Sequence, residues 1–444
     1  LIYPHFGPVP APGSFLAVVA TVGLLGLCLG LPPTSGVRRF LELPVMQRIG
    51  KLSYSLYLWH WPVFVFFRWT IGLHSVLQIL SALLITTFLA SLSYWAVEHR
   101  LRHSERVKGA PRLLVVGVAL VSVVASASLA TVINRHTGDL TLSTVARNAA
   151  DWYPDASTTS SAFPGCAVTI KSRVLQVTPP LEYPVTIATL ARSGCSSPVT
   201  GPKVIVLGDS HAVAYEPILF DYVLRTGAPV IFSAEPSCGF VSFTTTEVDP
   251  KCLAHRALLS STVLREVKAG DVLFLPSLRL PRFSDQDQAV ATSVIRKQIF
   301  GPDGVAARKA GASFGGDFVV KAEAKGARIV FEGVPPILRT PNFRCADWYD
   351  KTNPVCRGGA TLNRQLLEEH RAPMMREIEK LTSNSAAGSI WDPFPILCPP
   401  AETQCPAYND NKPLYFDGDH LSGYANQFLR ESLEAALVNA GKTP

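Results

Sequence analysis

Charge is scarce in this chain of 444 residues. Asp, Glu, Lys and Arg make up 17% of it, against 48% apolar residues, and the mean hydropathy is +0.22. Those figures exclude disorder, collagen and coiled coil, and they lie on the membrane side of ordinary composition. Cysteine is nearly missing from the first 165 residues, where Cys28 stands alone in an apolar run. No Cys-x2-Cys pair occurs anywhere, which argues against a structural zinc site. A basic face for nucleic acid is missing as well. Residues 1–140 hold 11 Lys/Arg against 4 Asp/Glu, whereas residues 141–444 hold 30 of each, so the whole net charge of +7 lies in the apolar third. The chain starts at Leu1 with no basic, cleavable leader, and the expectation is the C-terminal part of a longer polytopic protein.

What is present begins with four stretches able to span a bilayer, each near the required ~20 apolar residues. They are Gly13–Leu31, Leu52–Phe67, Ser75–Val97 and Leu113–Ile133. Arg38, Arg39, Arg48 and Lys51 lie between the first two, and Arg100, Arg102, Arg106, Lys108 and Arg112 between the last two. The positive-inside rule puts both loops in the cytoplasm and the C-terminal part outside. The remaining eight cysteines, all after residue 165, call for the same oxidising side. Pairing sequence neighbours (Cys166–Cys195, Cys238–Cys252, Cys345–Cys356, Cys398–Cys405) is one of 105 connectivities.

Ile49–Val63 reads IGKLSYSLYLWHWPV, and Ser93–Arg102 reads SYWAVEHRLR. These stretches resemble the late helices of the acyltransferase-3 family of membrane O-acyltransferases. The resemblance covers about residues 1–105. The early helices, on which that family carries a His and an Arg for the acyl donor, have no counterpart here, so those roles fall on no residue of this chain. His60 reads as a hydrogen-bonded helix histidine rather than as a donor-handling one.

Residues 134–165 lose periodicity and read as a solvated extracytoplasmic connector. From residue 166 to 444 short apolar runs alternate with helical segments. Lys203–Leu207, Pro229–Ser233, Asp271–Leu275, Arg328–Phe331 and Ser389–Trp391 are the expected strands. Ala212–Arg225, Ser260–Lys268, Gly316–Lys325 and Leu362–Leu381 are the expected helices. That rhythm predicts a doubly wound, flavodoxin-like parallel sheet with helices on both faces, its site at the carboxyl ends of the strands.

The first of these strands ends in Gly208-Asp209-Ser210-His211, and far downstream comes Asp417-Gly418-Asp419-His420. Ser210 at a strand end, beside a helix N-terminus that favours an oxyanion, is a candidate nucleophile. A serine needs a base. His420 supplies one, with Asp417 three residues earlier to hold the imidazole in the right tautomer. Asp209 is expected to order the nucleophile turn. Asp419 reads as loop chemistry, His255 as a surface residue and Glu332 as a cleft candidate.

The two motifs together resemble the SGNH hydrolase superfamily, whose first block is Gly-Asp-Ser and whose last is Asp-x-x-His. The resemblance implies further oxyanion donors from a Gly and an Asn. Gly239 after the second strand fits the first. No Asn follows the third strand, where Pro276-Ser277-Leu278-Arg279 stands, so Ser277 or Arg279 is the expected substitute, a solvated rim being the other reading of Arg279 and Arg282.

Acyltransferase-3-like helices followed by an SGNH-like domain resemble bacterial envelope O-acetyltransferases. The implied layout is a transmembrane module over 1–133, a linker over 134–165 and an α/β domain over 166–444. It would sit in the bacterial cytoplasmic membrane with the C-terminal domain outside. The implied activity is transfer of an acyl group, acetyl first, through a serine acyl-enzyme to a hydroxyl of an envelope glycan such as peptidoglycan or lipopolysaccharide. An anchored esterase acting on the same polymers is the alternative, and a non-catalytic envelope interaction protein the third reading. The implied partners are the glycan and the lipid bilayer. No metal or cofactor is expected in the outer domain, and acetyl-CoA or another acyl-CoA is the donor implied for the missing membrane helices.

Overall fold

The computed structural model describes residues 13–442, except 31, 33, 155, 156, 158, 176–184 and 245–248. The chain falls into two compact units, Leu1–Arg68 with Gly72–Ala127, and Trp69–Ile71 with Ser128–Pro444.

The first part of the chain is helical: α1 (Gly13–Gly30), α2 (Pro44–Trp69), α3 (Val76–His103) and α4 (Arg112–Arg135). Among the described residues α3 and α4 are long and apolar enough to cross a bilayer. The expected first span ends on Leu31, outside the described residues. The expected second span, Leu52–Phe67, is the middle of the longer α2, which also carries Arg48, Lys51 and Arg68. Ser75 and Gln78 cap α3 reciprocally. A π-helical turn at Tyr94–Glu98 widens α3 near its end, and there Ser55 Oγ donates to Glu98 Oε2 at 3.2 Å. His60 bonds the Tyr57 carbonyl through Nδ1 at 2.6 Å, as a helix histidine does.

The second unit is built on a seven-stranded sheet in the order β1-β2-β4-β3-β5-β6-β7, where β1 is Ala167–Leu175, β2 Val185–Ser193, β3 Val204–Gly208, β4 Val230–Ala234, β5 Val272–Leu275, β6 Arg328–Glu332 and β7 Gly388–Trp391. The five strands from β3 onward are parallel. Their order is that of a flavodoxin-like sheet, which reverses direction at β3 and β5 and leaves its crevice there. β1 and β2 form an antiparallel hairpin on the β4 edge. That hairpin was not among the expected strands.

Side chains alternate across the sheet, as the two-residue period requires. Val204, Val206, Val272, Phe274 and Val330 enter one core, with residues of α6 (Glu216–Thr226) and α11 (Gly423–Lys442). Ile205, Leu207, Leu273, Leu275, Ile329 and Phe331 enter the other, with residues of α7 (Pro250–Glu266), α8 (Thr292–Phe300), α9 (Pro302–Glu323) and α10 (Arg364–Ser383). Both faces of the parallel strands are therefore covered, and β3 is buried at every residue.

The helix expected over Ala212–Arg225 is two helices. A single turn, α5 (Ser210–Val213), is capped by Asp209, and α6 restarts at Glu216 with Pro217 in its first turn. The connector also differs from expectation. Thr144 donates to Asp347 Oδ1 through both its N–H (2.6 Å) and its hydroxyl (2.7 Å), Lys412 pairs with Asp151 at 3.1 Å, and Trp152 is buried. Residues 144–152 are thus docked on the α/β unit rather than solvated, because a tryptophan there gains more from burial than from water.

All eight late cysteines are paired, each with its sequence neighbour: Cys166–Cys195, Cys238–Cys252, Cys345–Cys356 and Cys398–Cys405. The bridges close loops of 29, 14, 11 and 7 residues. Replacing Cys238 and Cys252 together by serine is expected to destabilise the unit by about 3 kcal/mol. Thermal unfolding checks it, and reductant, which opens the other bridges as well, should lower the midpoint of the unaltered chain further.

Candidate active site

β3 delivers Ser210 to the carboxyl edge of the sheet. The turn out of the strand is possible only with glycine at 208, where a Cβ would stand 2.1 Å from the Pro276 carbonyl oxygen and 2.7 Å from Ala212 Cβ. Asp209 fixes the turn. Its Oδ1 accepts the His211 N–H at 2.9 Å, and its Oδ2 accepts the Leu278 N–H at 3.0 Å, tying the β3 turn to the loop after β5. Burial opposes the Asp209 charge, but His211 and these N–H groups outweigh it and hold the carboxyl below its ordinary value.

The partner loop, residues 416–420, is closed by the Phe416 N–H donating to the His420 carbonyl at 2.8 Å. A Cβ at Gly418 would lie 2.8 Å from the Leu338 carbonyl oxygen, so the loop can seat this deeply only with glycine there. Ser422 caps α11 through Ala425 N–H at 3.0 Å. Asn426, one turn into α11, donates to the Ala214 carbonyl at 2.8 Å. The helix that follows the loop is thereby fastened to the segment that follows Ser210.

These two loops bring the expected side chains together. His420 Nε2 lies 2.8 Å from Ser210 Oγ, and His420 Nδ1 lies 2.8 Å from Asp417 Oδ2. Asp417 Oδ1 accepts the N–H groups of Asp419 and His420 at 2.9 and 2.8 Å. A carboxylate facing Nδ1 places the proton there, leaving Nε2 as the acceptor of the serine hydroxyl proton. Burial would raise the Asp417 pKa, yet its bonds to His420 and the loop amides keep it well below the usual carboxylate range. The arrangement can take a proton from Ser210 as its oxygen attacks a carbonyl.

Gly239 and Ser277 stand next to this relay. A Cβ on Gly239 would meet Asp209 Oδ2 at 3.1 Å and Ser277 Cβ at 3.3 Å. Ser277 is buried, and its hydroxyl has no hydrogen-bond partner among the described residues. Its backbone N–H donates to Glu332 Oε2 at 3.1 Å. Since α5 is a single turn, the oxyanion support expected from a long helix after Ser210 reduces to individual N–H and hydroxyl groups.

Arg279 does not reach this cleft. Its side chain has 0% exposure. It donates to the carbonyls of Leu275, Ser277 and Glu332 and faces Glu332 Oε2 at 3.6 Å. Five donors on a planar fork satisfy a strand end better than a substrate here. Glu332 is buried with it and accepts the Tyr215 hydroxyl, so it too braces the strand ends instead of lining the cleft. Burial raises its pKa to about 7 against the pull of Arg279 and Tyr215. His255 is buried rather than on the surface.

Sequence reasoning missed a second set of charges behind the relay. His211 Nδ1 lies 3.2 Å from Asp209 Oδ1 and its Nε2 3.2 Å from Asp419 Oδ2, while Arg282 Nε lies 2.9 Å from that same Asp419 oxygen. The His211 ring stacks on His420, centroids 4.4 Å apart at 20°. Asp419 is 3.9 Å from His420 Nδ1, so Asp417 and not Asp419 orients that imidazole. Burial alone would lower the His211 pKa, but Asp209 and Asp419 push it up to about 10. His211, Asp419 and His420 each bring a metal-capable atom within 4.8 Å of the others. The signal available in the sequence was the extra His after Gly-Asp-Ser and the second Asp in the last motif.

Two outcomes follow. Arg279→Ala leaves Glu332 uncompensated in the interior and is expected to cost about 3–5 kcal/mol, read as a lower thermal midpoint. A histidine whose folded pKa is raised contributes stability that is complete below its ordinary value of 6.5 and lost as pH rises toward about 10. The thermal midpoint should fall across that window, and His211→Gln should remove that part of the slope.

Known proteins resemble parts of the chain. The family model described as an SGNH domain fused to AT3 domains matches residues 183–435. O-acetyltransferase OatA of Staphylococcus aureus strain NCTC 8325 / PS 47 is 33% identical over 92 residues, 20% of this chain and 15% of that protein, and the OatA of strain COL matches equally. The chain thus spans about 15% of the length of the curated relatives it matches. Among solved structures, the periplasmic domain of a lipopolysaccharide acetyltransferase from Salmonella ser. Paratyphi A aligns with a TM-score of 0.37 at 16% identity, over 54% of this chain and 85% of that one. Axe2, an acetylxylan esterase from Geobacillus stearothermophilus, aligns with a TM-score of 0.29 at 11% identity, over 55% and 96%. With its family match covering more than half of its length, the chain belongs to the SGNH domains fused to AT3 domains.

Proposed function

We propose that this protein is a membrane-anchored O-acyltransferase that moves an acyl group, acetyl first, onto a hydroxyl of an envelope glycan such as peptidoglycan or lipopolysaccharide. The observation that carries the reading is the 2.8 Å contact of His420 Nε2 with Ser210 Oγ, backed by Asp417 on Nδ1. Membership of a family of SGNH domains fused to AT3 domains supports it, as does the stretch shared with an O-acetyltransferase.

In this reading Ser210 Oγ attacks the acyl carbonyl while its proton passes to His420 Nε2. His420 returns that proton to the leaving group, and the serine ester remains. A sugar hydroxyl then attacks the ester carbonyl, gives its proton to His420, and departs with the acyl group as the new ester. The proton goes back to Ser210 Oγ. Asp417 stabilises the imidazolium formed at each half. The negative oxygen of each tetrahedral intermediate would be met by the Ser210 and Gly239 N–H groups and the Ser277 hydroxyl. The acyl group reaches the serine from acyl-CoA through membrane helices of the acyltransferase-3 kind, with the α/β unit on the extracytoplasmic side. Hydrolysis by the same residues differs only in the acceptor, so exclusion of water and capture of a sugar decide between transfer and esterase action.

The test uses the full chain in detergent, an aryl acetate as donor, and peptidoglycan or lipopolysaccharide oligosaccharides as acceptors. The expected result is acetylated oligosaccharide at the expense of free acetate. Ser210→Ala and His420→Ala should abolish both products, and Asp417→Asn should lower the rate by roughly 10³–10⁴-fold. Release of acetate that no oligosaccharide diverts makes the protein an esterase. Turnover retained by Ser210→Ala would overturn the serine mechanism.

A further inference from the structure

Behind His420 lies a histidine that the acyl-transfer steps do not use. Each nitrogen of the His211 ring lies 3.2 Å from a carboxylate oxygen, Nδ1 in a hydrogen bond with Asp209 Oδ1 and Nε2 in a charge contact with Asp419 Oδ2 that is not aligned as a hydrogen bond. The side chains of all three are nearly fully buried, with 5–6% exposure. A neutral imidazole would turn one lone pair onto a buried carboxylate, a repulsion that no water could screen. With a proton on both nitrogens the ring cancels part of the charge of both acids. Its flat face is then set against His420, 4.4 Å centroid to centroid.

We propose that His211 is a fixed imidazolium and a positioning residue of the catalytic base: it seats the His420 ring by stacking and keeps His420 in the neutral, proton-accepting form. The inference rests on the reading of Ser210, His420 and Asp417 as the catalytic relay. Two groups favour a charge on His420, Asp417 at 2.8 Å and Asp419 at 3.9 Å. His211 is the opposing cation in direct contact with the ring. It receives Asp209 from the end of β3, Asp419 from the 416–420 loop, and the more distant field of Glu332 from the end of β6. Arg282 holds Asp419 from the loop after β5, and Arg256 and Arg279 act on Asp209 through space. Every buried acid at the site therefore has a cation assigned to it, and without His211 the surplus negative charge falls on His420. Neutral His420 is required at both halves of the reaction, since each begins with a hydroxyl proton passing to Nε2.

The test has two arms on the full chain in detergent. In the first, ¹⁵N-histidine-labelled protein is followed by NMR between pH 6 and 9, with the His211→Gln spectrum assigning His211 among the ten histidines. A signal with both nitrogens protonated throughout that range is expected, and a neutral His211 tautomer at pH 7.5 would overturn the proposal. In the second, the pH dependence of kcat/KM for aryl acetate hydrolysis is compared between the unaltered chain and His211→Gln. The acid limb should move to higher pH by about one unit with KM unchanged. A uniform loss of kcat with the acid limb in place would reduce His211 to packing and refute the charge role. Ser210→Ala, run alongside, separates the two ideas: hydrolysis surviving in it defeats the catalytic relay, while the NMR arm still decides the charge on His211.

Discussion

The hydrogen bond from Ser210 to His420 joins residues 210 positions apart, and most of the α/β unit serves to make it. Neither partner sits on a long element. Ser210 opens a single helical turn, and His420 stands in a tight loop. Both are held by backbone geometry that tolerates little change, set by the Pro276 carbonyl against Gly208 and the Leu338 carbonyl against Gly418. The sheet supplies the distance scale. Parallel pairing of β3 with β5 and of β5 with β6 puts the loops after these strands on one edge, and α11 packs back so that Asn426 meets the Ala214 carbonyl.

Charge is the second constraint. The carboxyl edge buries Asp209, Asp419 and Glu332, and buried acids are tolerated only when paired or hydrogen-bonded. Their partners sort by depth. Arg279 and Tyr215 answer Glu332 at the strand ends, His211 answers Asp209 and Asp419 directly behind the His420 imidazole, and half-exposed Arg282 answers Asp419 from the rim. Asp417, the acid left for His420, is satisfied by two loop amides as well. The division lets two aspartates two residues apart, 417 and 419, do different work.

Much of this could be read in the sequence, for local reasons. Parallel strands buried on both faces are continuous apolar runs, so Lys203–Leu207 and its counterparts stood out. Gly-Asp-Ser and Asp-x-x-His are short motifs whose members act within one turn or loop. The disulfides join neighbours, which made the simplest pairing the observed one. What escaped depends on spatial company. β1 is mostly exposed and carries Lys171, Ser172 and Arg173 in succession, so it has no apolar signature. Trp152 lay in a polar stretch that looked like linker. The break between α5 and α6 had a visible cause in Pro217. Arg279 looked like an oxyanion or rim residue because nothing in its neighbours announces that Glu332 lies beneath it.

The four disulfides have a consequence through what they leave out. Each closes a loop of 29 residues or fewer, and none links the 416–420 loop or α11 to β3. Ser210 and His420 are therefore joined only by noncovalent packing, while the flanking loops are cross-linked. A fluctuation that lifts α11 and its loop separates His420 from Ser210 without breaking any bridge. On heating, that contact is free to open before the cross-linked remainder melts, and the packing of the residues after 416 decides how early it does so.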